Sequence, residues 1–247
     1  MLRPGEVIHD GGWAQVGRLL DDTGQPFIRK VGKYLLDGDG LAVLDFLAAL
    51  EAEPHPNLLA PLAFSGAPGA VLVEDYPDLS GRRRLDQIAF ELRNGLSRGD
   101  LALERVLDLV VRIAGAAAHV HRLGFVHQDV RPTNVFVHED DGRLVPTLFD
   151  YTFVVRPFFL VEGRLFANLE TPPEARVGYV SLDARYDVYQ LGWLLRSLTH
   201  YEAGMDIWRP LTALPEGLGE VIACALGPLP DRFPDGGAVV EALSMRP

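Results

Sequence analysis

The chain is expected to fold as an α+β protein of two lobes: a small β-rich lobe with one helix, then a larger and mainly helical lobe. Three observations predict this. Short apolar segments separated by glycine- and proline-containing turns fill the first 75 residues. A long stripe at helical spacing follows, formed by Leu103, Val106, Leu107, Val110, Ile113, Ala114, Ala117 and Val120. Strands come first and helices second, the order of an α+β architecture rather than of alternating βαβ units. The texture changes near Tyr76–Asp78, so the lobes are set at residues 1–75 and 76–247, together one domain.

The elements follow in chain order. Glu6–His9 and Ala14–Leu20 read as strands around a Gly11-Gly12 turn, and Pro26–Val31 as a third strand after the polar turn Asp21–Gly24. Leu41, Leu44, Phe46, Leu47 and Leu50 give Leu41–Leu50 helical spacing. Pro54, Pro56 and Pro61 then break the chain, and Leu59–Phe64 and Ala70–Asp75 read as two further strands. In the second lobe the long helical stripe stops at Gly124. Val135–Val137 and Val145–Phe149 form a hairpin across Asp140-Asp141-Gly142. Tyr186–Leu198, Leu218–Leu226 and Gly237–Leu243 read as helices.

Composition narrows the function. The 247 residues carry a formal net charge of -11, from 23 basic and 34 acidic residues. Nucleic acid and anionic membranes select concentrated positive charge, so neither is expected as the main partner. Arg82-Arg83-Arg84 is the basic run, read as a solvated loop. No apolar run reaches the ~18 residues of a membrane span, and the N-terminal residues lack the apolar core of a signal peptide. Cys224 is the one cysteine, which rules out an intramolecular disulfide; it reads as a small core residue. The reducing cytoplasm is the compartment expected.

The most informative stretch is His127-Gln128-Asp129-Val130-Arg131-Pro132-Thr133-Asn134, with Asp150-Tyr151-Thr152 after the hairpin. An aspartate can receive the proton of a substrate hydroxyl, and an asparagine five residues on can hold a metal. A second aspartate on a neighbouring strand can bind the same metal, and such oxygen ligands suit a hard cation.

These segments resemble the catalytic loop (H-R-D-L-K-P-x-N) and the D-F-G of eukaryotic-like, or Hanks-type, protein kinases. The resemblance extends along the chain in the family's order. Ile8–Val16 resembles the glycine-rich loop, with Gly11 and Gly12 kept but His9 and Ala14 at usual glycine positions. Phe27-Ile28-Arg29-Lys30 resembles the V-A-I-K strand, and His55-Pro56-Asn57 the H-P-N after the first helix. Val71–Tyr76 resembles the last strand and hinge. Thr171-Pro172-Pro173-Glu174 resembles the A-P-E motif, Asp187–Gly192 the D-V-Y-S-L-G helix, and Arg232 the arginine that pairs with the A-P-E glutamate.

The resemblance implies a bilobal protein-kinase-like fold that binds ATP and Mg²⁺. Lys30 would neutralise the α- and β-phosphates, and Asp129 would orient the substrate hydroxyl. Arg131 would contact the transferred phosphate, and Asn134 and Asp150 would hold Mg²⁺. Gly11, Gly12, Val16, Ile28, Val73, Glu74, Tyr76 and Phe136 would surround the nucleotide, with hinge backbone groups reading adenine. His127 would be a packed core residue, and Asp187 would anchor the catalytic-loop backbone. The partner implied is a protein substrate or a regulated protein.

Several positions depart from the family pattern. The first helix has no glutamate for Lys30: Val43 or Phe46 falls there, with Asp45 and Glu51 as the nearby acids. Gln128 replaces the arginine that receives a phosphorylated loop, and residues 153–168 contain no Ser, Thr or Tyr, so control by loop phosphorylation is not expected. Ala167 stands at a usual threonine, Tyr151-Thr152 replaces Phe-Gly, and Ile28 replaces a small alanine over adenine. Three functions stay open at this point: a Ser/Thr protein kinase, a pseudokinase acting as a nucleotide-sensing or scaffolding module, and a small-molecule phosphotransferase of aminoglycoside- or choline-kinase type.

Overall fold

A computed structural model of the chain describes residues 3–36, 41–98, 102–158, 160–162, 170–176, 179–199, 201–202, 207–208, 214–215 and 217–245. The first lobe is a five-stranded antiparallel sheet: β1 (Arg3–Asp10), β2 (Ala14–Leu20), β3 (Pro26–Leu35), β4 (Ala63–Ser65) and β5 (Val71–Pro77), in the order β1-β2-β3-β5-β4. Its turns have local causes. Gly11 N donates to the Ala14 carbonyl and closes the β1–β2 hairpin. Asp21 Oδ1 accepts from the backbone N–H of Thr23 and of Gln25, which shapes the β2–β3 turn. One helix, α1 (Leu41–Ala52), packs Phe46, Leu47 and Leu50 fully into the core.

The expected strand over Leu59–Phe64 is shorter and later, at Ala63–Ser65. Leu58 and Leu59 instead attach to the second lobe: Leu59 N donates to the Leu148 carbonyl, and Leu148 N donates to the Asn57 carbonyl. Pro61 has no N–H for a ladder, which separates these residues from β4.

The second lobe is mainly helical. Its helices are α2 (Leu85–Arg98), α3 (Leu103–Arg122), α4 (Arg185–Thr199), α5 (Leu218–Leu226) and α6 (Gly236–Ser244). Helix α3 is its axis, with Val106, Leu109, Val110, Ile113, Ala114 and Ala117 fully buried. Helix α6 starts directly against it. A Cβ at Gly236 would come within 2.7 Å of the Ala114 carbonyl oxygen, so only glycine fits there. The two lobes share one apolar core, which runs from Phe46 and Leu72 through Ile113 to Leu198 and Leu243.

Helix α2 has no counterpart among the expected elements. A small sheet of β6 (Arg83–Arg84), β7 (Val135–Asp140) and β8 (Arg143–Leu148) carries the catalytic-loop region, with β7 and β8 forming the expected hairpin. The arginine run is therefore partly a strand and each member is engaged: Arg82 donates to Thr147, Arg83 pairs with Glu91 and Arg84 with Asp86. Cys224 is half-buried rather than core. No helix among the described residues is long and apolar enough to cross a membrane.

Candidate active site

The inner face of the first-lobe sheet gathers several of the residues expected around the nucleotide, but not Val73, which alternates with Glu74 onto the other face. Directly opposed residues of an antiparallel pair share a face. Val16 lies opposite Lys30 across β2–β3, and Lys30 lies opposite Glu74 across β3–β5. Two residues along, Ile28 lies opposite Tyr76. Val16, Ile28, Lys30, Glu74 and Tyr76 therefore line one face. Gly11 and Gly12 form the hairpin tip, where Trp13 packs edge-on against Phe153 at 5.2 Å, just beyond Asp150-Tyr151-Thr152.

The Lys30 ammonium has three acceptors. It donates to Asp150 Oδ1 and to Thr152 Oγ1, both at 2.7 Å, and lies 3.4 Å from Glu74 Oε2. Burial works against its charge, but Asp150 and Glu74 outweigh it and raise the Lys30 pKa. The acids expected from α1 are not its partners. Asp45 pairs with Arg156 at 2.8 Å, and Glu51 is exposed. The carboxylate comes instead from β5.

This corrects the hinge expectation. Glu74 turns its side chain onto Lys30 and takes the Tyr76 hydroxyl as a donor. Val73, Glu74 and Asp75 are flanked by β3 on one side and β4 on the other, which leaves them no free backbone edge to read a base. The edge opens only at Tyr76, and Pro77 beside it has no N–H.

Burial pushes the Asp150 carboxyl up, but Lys30, together with the Thr152 hydroxyl, holds it down at about 2. Asp150 adopts φ 67°, a left-handed conformation rare for a non-glycine residue. Tyr151 next to it is fully buried. Its hydroxyl donates to the Leu59 and Leu148 carbonyls, and its ring packs on Phe46 and His127. Phe136 on β7 is half-buried and stacks on Phe149 with ring centroids 4.4 Å apart.

The His127–Asn134 loop is pinned by two side chains of α4. The fully buried Asp187 accepts from the backbone N–H of His127 and of Gln128, both at 2.8 Å, and contacts His121 Nε2 at 2.9 Å. Gln190 accepts from Val130 N and donates to the Gln128 carbonyl. His127 is fully buried, and burial depresses its pKa, so it packs as a neutral ring.

On this platform Asn134 Nδ2 donates to Asp129 Oδ2 at 2.6 Å and to the Asp129 carbonyl at 3.0 Å. Its amide oxygen is thereby turned away from Asp129. Arg131 Nη1 donates to Asp129 Oδ1 at 3.3 Å, and its Nε lies at ion-pair distance, 3.2 Å, from Glu170. Burial raises the Asp129 carboxyl, partly offset by Arg131, His127 and the Asn134 hydrogen bond. Burial likewise raises Glu170.

Sequence reasoning missed three contributors: Glu74 as the Lys30 partner, Thr152 as a hydroxyl on both Lys30 and Asp150, and Glu170 beside Arg131. The first had a signal. Leu72, Glu74 and Tyr76 alternate onto one buried strand face. Away from the site, Arg232 makes a two-pronged pair with Glu174, at 2.5 and 3.0 Å. Ala167 and residues 163–169 lie outside the described residues.

No family model matches the chain. Among curated proteins it is similar to the serine/threonine-protein kinase PknA of Mycobacterium tuberculosis (strain ATCC 25618 / H37Rv), 27% identical over 197 residues, covering 75% of this chain and 43% of that protein. It is also similar to the serine/threonine-protein kinase PknL of the same strain, 26% identical over 174 residues, covering 60% of this chain and 43% of that protein. The chain thus spans less than half the length of these relatives. Among solved structures it superimposes on the kinase domain of a Toxoplasma gondii rhoptry antigen with a TM-score of 0.66 at 19% identity, covering 98% of this chain and 82% of that one. The fold is that of a bilobal protein kinase domain. The chain is thus similar in sequence to serine/threonine-protein kinases and in fold to a kinase domain.

Proposed function

We propose that the chain is an ATP- and Mg²⁺-dependent protein kinase that transfers the γ-phosphate to a Ser or Thr hydroxyl without control by activation-loop phosphorylation. One observation carries the reading: Asp129, Asn134 and Arg131 form a hydrogen-bonded group on a loop pinned by Asp187 and Gln190. That group has the composition phosphoryl transfer needs.

The residues fit the phosphate and metal end of the cofactor. Lys30 stands between two carboxylates, Glu74 and Asp150, so one negative charge of the three groups is left to balance. The depressed Asp150 carboxyl is ionised at neutral pH, and the Asn134 oxygen is not held by Asp129, so this pair of oxygens suits a hard cation. When bound, Mg-ATP supplies the phosphoryl group and the charge that neutralises it. Lys30 donates toward phosphate oxygens, Asp129 accepts the substrate hydroxyl proton, and Arg131 offers its cation to the transferred group. The raised Asp129 carboxyl is a stronger base than an ordinary aspartate.

The loop reading rests on Gln128. Its Nε2 donates to the Phe153 carbonyl at 2.7 Å, a neutral tether where the family resemblance leads one to expect an arginine awaiting a phosphate. The protein substrate and a cytoplasmic location belong to the same proposal.

A pseudokinase is the second reading, favoured by one feature: Lys30 already has an acceptor for each of its three N–H groups. Melting curves with Mg-ATP separate the two. A ligand that binds only the native state raises the melting temperature. The kinase reading expects a rise and label transfer that Asp129→Ala removes. A rise without transfer supports the nucleotide-sensing module, and no rise removes both nucleotide roles.

A further inference from the structure

We propose that Glu74 is the positioning residue for Lys30, so that Lys30 is held by the sheet itself and α1 exerts no direct electrostatic control over it. The pairing stands on geometry alone; its importance for phosphate binding rests on the function proposed above.

Glu74 is 1% exposed, and a buried carboxylate needs a counter-charge and hydrogen-bond donors. The structure gives it one of each. Lys30 lies directly opposite on the β3–β5 ladder at 3.4 Å, and Tyr76, two residues along the same strand face, donates its hydroxyl. The placement is rigid. Glu74 pairs across to Lys30 on β3 and across to Phe64 on β4, so its backbone cannot swing as a helix can. At 3.4 Å it acts mainly through charge and leaves the two closer contacts of Lys30, Asp150 and Thr152, to be exchanged for a ligand.

Helix α1 has nothing equivalent to offer. Phe46 is fully buried against Phe125 and Tyr151, Asp45 reaches Arg156, and Glu51 faces solvent. The helix is tied to the rest of the molecule by packing and by the exposed Asp45–Arg156 pair, a route that bypasses Lys30.

A double-mutant cycle without nucleotide tests the pairing. Lys30→Met leaves the Glu74 and Asp150 carboxylates without their shared cation, and the melting temperature should fall by roughly 5 °C or more. Adding Glu74→Gln to Lys30→Met should recover part of that fall, whereas Asp45→Asn and Glu51→Gln should combine with it additively. Because the decisive comparison is between Lys30→Met and the double variant, it holds even if Glu74→Gln alone folds poorly. Additive effects of Lys30→Met and Glu74→Gln, or recovery by an α1 substitution, overturn the proposal.

A second readout tests positioning rather than packing. In Mg-ATP titrations, Glu74→Gln should weaken the thermal shift at least tenfold in ligand concentration, Glu74→Asp should restore part of it, and Asp45→Asn should leave it unchanged. An undiminished shift in Glu74→Gln overturns the positioning role. A wild-type protein blind to Mg-ATP counts against the proposed function instead, and the nucleotide-free cycle still decides the pairing.

Discussion

Lys30 Nζ donates to Asp150 Oδ1 at 2.7 Å, joining β3 of the first lobe to the segment that follows β8 in the second. Burial opposes the Asp150 charge, but the ammonium overrides it and holds the carboxyl at about 2, against an ordinary 3.8. A carboxylate depressed on folding adds stability that is present above its unfolded pKa and lost as pH falls through the folded one. The stability difference between the wild type and Asp150→Asn should therefore be constant above about pH 4 and shrink as pH falls toward 2, in urea unfolding across that interval. A difference that stays flat would mean the ion pair is not formed.

Arg232 and Glu174 supply a stability prediction. Arg232 is buried, donates to both Glu174 oxygens and to the Gly227 carbonyl, and lies over the Tyr189 ring. Removing one partner of such a pair costs about 3–5 kcal/mol. Arg232→Ala should lose stability of that order, and Arg232→Lys should recover only a minor part, because an ammonium cannot make the two-pronged contact. Full recovery by lysine, read from urea midpoints, would assign the arginine a point-charge role only.

The fold was largely legible because its signals are local. The 3.6-residue stripe of α3, the turn chemistry of Asp21 and Gly24, and the Asp141-Gly142 hairpin each depend on near neighbours in the chain. Leu218–Leu226 matches its expected limits. Helix α2 was missed although Leu85, Ile88, Ala89 and Leu92 bury one face at helical spacing; the arginines before it drew the reading toward a loop. Asp129, Asn134 and Asp150 were legible as a motif. The Lys30 partner was misplaced, because the family resemblance directed the search to the acids of the first helix and set Glu74 beside the nucleotide, although its alternation with Leu72 and Tyr76 marked it as facing inward. Glu170 was hidden for another reason: its contact with Arg131 joins residues distant in sequence, and no periodicity announces such a pair.

Gln128 bears on regulation. It holds φ 67° and donates to the Phe153 carbonyl. Loss of this single hydrogen bond in Gln128→Ala should cost about 1 kcal/mol, while phosphatase treatment of the wild type should leave transfer unchanged. A fall in transfer after dephosphorylation would contradict the neutral tether.

In the proposed reaction Asp129 would set the pH dependence. Burial raises its carboxyl more than Arg131, His127 and Asn134 lower it. A base with a raised pKa loses its ionised form earlier as pH falls, so the acid limb of kcat/KM should lie above the ordinary aspartate value of 3.8. A limb at or below that value would show that another group controls it.

The most direct test is phosphate transfer from γ-labelled ATP, with Mg²⁺, to a generic Ser/Thr acceptor by the wild type and by Asp129→Ala side by side. The account predicts label on Ser or Thr with the wild type and only background with Asp129→Ala. Label no higher with the wild type than with Asp129→Ala would contradict it.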